Sequence, residues 1–164
     1  MRSYALIECE QLSRRLYWLI AVVALLWLGL LLLAPWLMAT QRVLPALVLY
    51  RVFALVCHQQ PERSFNWLSF PLLVCMRCTG IYFGFAVGWW LSVGLPAMPR
   101  RWLFAAFVPM VFDWTLGVTG IEANTPMSRT LTGALAGSAV AWWLSSQRRF
   151  IVTDIFSGET FLHG

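Results

Sequence analysis

Long apolar runs alternate with short polar breaks along this chain, and arginine, proline or glycine marks every break. Residues 1–13 are a mixed polar start, closed by Arg14 and Arg15. Residues 16–38 follow without a single charge, long enough to cross the roughly 30 Å hydrocarbon core of a bilayer. Residues 43–57 are apolar again, but Pro45 stands near their start and Arg51 in their middle. At 1.5 Å per residue that run reaches only about 22 Å, which predicts an interfacial or re-entrant helix and not a crossing. After a polar loop with Pro61, residues 71–95 form the second predicted crossing, and residues 102–118, holding Pro109 and Asp113, the third. A polar connector with Glu122, Asn124 and Arg129 leads into the fourth, residues 130–146, which Arg148 and Arg149 stop. The tail, residues 150–164, is mixed and polar, and its His163 reads as solvated.

The pattern predicts an all-α, polytopic membrane bundle: four transmembrane helices and one short interfacial helix in a single domain of 164 residues. Small residues recur every fourth position at Gly80, Gly84, Gly88 and Ser92, and again at Gly133 and Gly137. Such stripes let two helix backbones approach closely, so the second and fourth crossings are natural partners.

Composition strengthens this picture. The chain is 60% hydrophobic, with mean hydropathy +0.70, against roughly 45–50% apolar residues in soluble domains. The lipid bilayer is therefore its first partner. Trp89-Trp90 and Trp142-Trp143 read as interface anchors. The net charge of +5 comes from arginine alone, and most arginines sit in pairs beside apolar runs. That is not the basic face of a nucleic-acid-binding module. The first apolar run is too long for a signal peptide and lacks a small-residue cleavage site, so it is expected to remain as an anchor.

Charge also orients the bundle. With four crossings and a cytoplasmic N-terminus, Arg14/Arg15, Arg100/Arg101 and Arg148/Arg149 all fall inside, as the positive-inside rule requires. A fifth crossing at residues 43–57 would put the last two pairs outside. The expected location is a bacterial-type inner (plasma) membrane with both termini cytoplasmic. Cys57, His58, Glu62, Arg63, Cys75, Arg77 and Cys78 then gather at the outer face, with Asn124, Arg129 and the outer end of the Asp113 helix. Arginines outnumber acids there, which leaves room for an anionic ligand or a lipid headgroup.

Three chemistries fit this gathering. Cys57-His58, sixteen residues, then Cys75-x-x-Cys78 supplies four ligands for a tetrahedral transition metal, zinc first among them. Neighbouring residues usually point different ways, so a three-cysteine site with His58 hydrogen-bonding nearby is an alternative. Cys75-x-x-Cys78 also begins a helix, where the dipole and Arg77 favour a thiolate; that suits a thiol oxidoreductase linked to a quinone. Cys9, expected in the cytoplasm, supplies no second outer pair for such an enzyme. Thirdly, Cys57 paired with Cys75 or Cys78 would be a structural staple in a non-enzymatic subunit of a larger membrane complex. Asp113, an acid inside a crossing, is either part of the site or half of a buried ion pair with Arg77 or Arg129. Glu62 and Arg63 can form a simple loop ion pair.

The strings CHQQPERSF at residues 57–65 and CMRCTGIYFGF at residues 75–85 resemble the DUF2085 family of predicted membrane proteins. The resemblance extends to Asp113, and to Asn124, Arg129, Thr132, Gly133 and Gly137. It covers roughly residues 56–137. It implies that Cys57, His58, Glu62, Arg63, Cys75, Arg77, Cys78, Asp113 and Arg129 form one site, and it implies no particular reaction.

Overall fold

The structure is a computed structural model. It describes the backbone of residues 2–120 and 125–157 and the side chains of residues 11–120 and 125–147. The fold is mostly helical. Helix α1 spans Arg2–Ala39, α2 Val43–Phe53, α3 Met76–Leu91, α4 Arg100–Thr119 and α5 Pro126–Ser157. Between α2 and α3 lie a 3-10 turn, Pro61–Arg63, and two strands, β1 Ser64–Trp67 and β2 Phe70–Cys75.

The hairpin corrects the expectation of a polar loop running straight into a crossing at residue 71. Strands β1 and β2 pair antiparallel, with Trp67 opposite Phe70 and Ser64 opposite Cys75. Leu68 and Ser69 turn the chain at φ 53° and 68°, the left-handed pair that matches the twist of a two-residue hairpin. Leu72, Leu73 and Val74 are buried, with β2 packed on α1 and α2. A continuous apolar run therefore hides a strand that feeds directly into a helix. As a result α3 has 16 residues. The interfacial helix ends at Phe53 and not at residue 57. Helix α5 continues through Ser157, into the stretch expected to be a polar tail.

Helix α3 packs chiefly against α5. The small-residue stripes face each other so closely that a Cβ on Gly84 would stand 2.1 Å from the Ala134 carbonyl oxygen, and one on Gly133 2.4 Å from that of Arg77. The Ser138 hydroxyl donates to the Gly84 carbonyl across this contact, at 2.9 Å. Backbone contact of this kind maximises dispersion between the two helices. Helix α1 joins through Tyr17 and Trp89, whose rings stack with centroids 5.3 Å apart. The Trp89 indole also donates to the Tyr17 carbonyl at 3.1 Å. Trp89 is thus a core residue at 1% exposure, where the sequence pattern predicts an interface anchor; Trp90 is the exposed member of the pair.

Two helices are long and apolar enough to cross a membrane by length and composition: Gln11–Ala39 within α1, and α4. Both expose their apolar side chains broadly, and Asp113 is the buried residue of α4.

Candidate metal centre

The site forms where α2 ends and α3 begins. After Phe53 the chain makes one more turn, with the Cys57 amide donating to the Phe53 carbonyl at 3.0 Å. Cys57, 7% exposed, points into a core cluster of Leu31, Ala34, Phe53, Leu73 and Val74. Its neighbour His58 is consequently turned to the surface. Gln59 then takes φ 47° and reverses the chain. Its side-chain amide donates to the Tyr50 carbonyl at 2.9 Å and to the Leu73 carbonyl at 2.8 Å. This clamp ties the end of α2 to β2. Sequence reasoning missed Gln59, because its neutral side chain carries no chemistry of its own.

The hairpin returns the chain to Cys57. Cys75, extended at φ −67° and ψ 161°, caps the start of α3; Cys78 lies in the first turn of that helix. The Cys75 backbone N–H donates to the Cys57 Sγ at 3.3 Å. The Sγ atoms of Cys57, Cys75 and Cys78 all lie within 4.8 Å of one another, and the three are free thiols. A tetrahedral metal with Zn–S bonds of about 2.3 Å holds its sulfurs about 3.8 Å apart. The cluster fits such an ion after a contraction of about 1 Å at its widest. An amide donating to sulfur stabilises the thiolate that metal binding requires. The Cys75 thiol is pulled down to about 5, chiefly by its hydrogen bond with the Cys78 thiol; burial opposes this, and a hydrogen bond with the Cys57 thiol assists.

A pocket of about 640 Å³ opens onto the cysteines. Arg63, Arg77 and Arg129 line it, together with His58 and Gln59, and Met110 and Trp114 form its α4 wall. Arg77 pairs with Asp113. The Nε atoms of Arg77 and Arg129 are buried, with no hydrogen-bond acceptor among the described residues. Packing explains the convergence: Gly133 rests on the backbone of Arg77, and Arg129 lies one helical turn before it. The structure brings the three cysteines together and leaves His58 outside that cluster, exposed on the pocket wall. Glu62 is exposed on the 3-10 turn. Asn124 and Glu122 lie outside the described residues.

A family model for predicted membrane proteins, DUF2085, matches residues 57–143, just over half of the chain. The chain belongs to the DUF2085 family. The DUF2085 match starts at Cys57 itself and contains the hairpin, all three clustered cysteines, Asp113 and Arg129. An uncharacterized protein of Methanocaldococcus jannaschii is 34% identical over 105 residues, covering 60% of this chain and 67% of the relative. An uncharacterized protein of Methanothermobacter thermautotrophicus is 30% identical over 93 residues, covering 54% of this chain and 84% of the relative. No solved structure matches. Within this DUF2085 chain, then, the family region coincides with the cysteine cluster and its pocket, while α1 and α2 precede it.

Proposed function

We propose that this DUF2085 protein is an integral membrane protein carrying a transition-metal centre, zinc, on Cys57, Cys75 and Cys78, beside an arginine-lined polar pocket. The observation that carries the reading is the triangle of three sulfurs within 4.8 Å. Three thiolates are soft, charged ligands that select zinc over hard cations. The pocket opens onto the cysteines, so His58, water or a ligand within it would complete the coordination of a tetrahedral ion. Cobalt(II) exchanged into the purified protein tests this reading. Thiolate-to-cobalt charge-transfer absorption, lost on replacing Cys57 by Ser, is expected; cobalt bound without that absorption contradicts it.

The proposed topology has four crossings, α1, α3, α4 and α5, with α2 along the interface. Its support is the placement of Arg14/Arg15, Arg100/Arg101 and Arg148/Arg149 on one side of the bundle by parity. Helix α3 reaches only about 24 Å, and its tight contact with α5 offsets that shortness. The cysteines then face outward from the plasma membrane. A fluorescent reporter fused to the C-terminus should mature in the cytoplasm; a reporter active only outside contradicts the topology.

One observation favours a second reading. The acidic Cys75 thiol beside Cys78 suits thiol oxidation, in which the two thiols form a disulfide and pass two electrons and two protons to a quinone, giving the quinol. A redox-dependent mobility shift of Cys75 and Cys78 is its signature.

A further inference from the structure

The pocket beside the cysteines is charged in a way that its metal chemistry does not use. Arg63 comes from the turn before the hairpin, Arg77 from α3 and Arg129 from α5, and all three reach one space. Among the described residues that line it there is no carboxylate; Asp113 pairs with Arg77 but is not part of the lining. Asp113 offsets one guanidinium of the three, which leaves two positive charges for a ligand.

The hydrogen-bonding state agrees. The Nε–H groups of Arg77 and Arg129 are buried with no acceptor among the described residues. A buried, charged donor left without an acceptor is costly, more so in the low dielectric beside a bilayer. Arg63 is exposed and can swing over the opening. Guanidinium forks arriving from three separate segments suit a tetrahedral oxyanion, whose oxygens point in several directions, better than a carboxylate.

We infer that this pocket is a phosphate-binding site, formed by Arg63, Arg77 and Arg129 next to the cysteine cluster. The phosphate is either free or the headgroup of a phospholipid. The α4 wall is apolar, and Trp114 on it is 56% exposed, so a ligand with an acyl tail can enter from the lipid side. The arginines alone carry the inference, which therefore fails or stands apart from the metal centre.

The test uses the full chain in nonionic detergent, with Arg63→Gln and Arg129→Gln compared with the wild type. Arg63 lies on an exposed turn, so its variant folds even if the α5 variant does not. Inorganic phosphate is titrated calorimetrically. In parallel, the protein is passed through nanodiscs of phosphatidylglycerol or of a phosphate-free glycolipid, and the phosphorus retained per chain is measured. Saturable phosphate binding, weakened roughly tenfold or more by each substitution, assigns a free oxyanion. Retained phospholipid phosphorus that falls in both variants assigns a headgroup. No saturable binding of either probe, or equal binding by wild type and both variants, overturns the inference. Metal content of the same samples reports separately on the cysteine centre.

Discussion

The backbone amide of Cys75 donates to the sulfur of Cys57, eighteen residues earlier, at 3.3 Å. That contact joins the loop after α2 to the start of α3 and presets the cysteine triangle. It also adds a donor to a cluster in which the Cys75 thiol sits at about 5, against an ordinary value of 9.0. A thiol lowered by folding stabilises the fold above its unfolded value, and that contribution fades as pH falls through about 5. In chelator-stripped protein, Cys75 should therefore be the thiol alkylated by iodoacetamide at pH 6–7, with its reactivity falling away toward pH 5. Mass spectrometry of the alkylated peptides reads the result, and rebinding of metal should protect the same residue.

Asp113 is the buried acid of an otherwise broadly exposed apolar helix, and it holds Arg77. Replacing Asp113 by Asn leaves a guanidinium without its counter-charge and should cost about 3 kcal/mol. The paired replacement of Arg77 by Met and Asp113 by Leu should recover most of that stability while abolishing the pocket's charge pattern. Thermal unfolding in detergent compares the two.

The α3–α5 contact has no room for side chains at its glycines. Gly84→Leu should cost at least about 3 kcal/mol, because its Cβ alone would meet the Ala134 backbone. Gly29→Ala in α1 is the control: nothing lies within 4 Å of its added methyl, so stability should hold or rise slightly. Failure of Gly29→Ala, or tolerance of Gly84→Leu, contradicts this packing.

Gln59 spans two backbone carbonyls, of Tyr50 and Leu73. Gln59→Ala should cost about 2 kcal/mol for the two lost bonds. It should also speed metal loss to a chelator, since the loop bearing Cys57 is then freed at one end. Gln59→Glu, which keeps the shape but lacks the donors, should behave like the alanine variant.

The helical architecture was legible because apolar runs and arginine pairs are long, unambiguous signals. So was the pairing of the two glycine-striped helices, since spacing alone lays Gly80, Gly84 and Gly88 along one face. The hairpin was not. Residues 70–75 are continuously apolar, and such a run looks the same as a strand or as the first turns of a buried helix. Only the left-handed turn at Leu68 and Ser69 separates the two, and neither residue advertises it. The cysteine cluster was legible from the spacing of Cys75 and Cys78, but the adjacency of Cys57 and His58 left their directions open. Burial decides it: Cys57 enters the core, so His58 turns outward. The burial of Trp89 follows from its stacking on Tyr17, a contact between residues 72 positions apart that no local pattern encodes.

Elemental analysis of the purified protein by inductively coupled plasma mass spectrometry tests the metal centre most directly. About one zinc per chain is expected, lost when Cys57, Cys75 or Cys78 is replaced by Ser and retained when His58 is replaced by Ala. A wild-type protein with its three thiols reduced and intact, yet without stoichiometric transition metal, would contradict it.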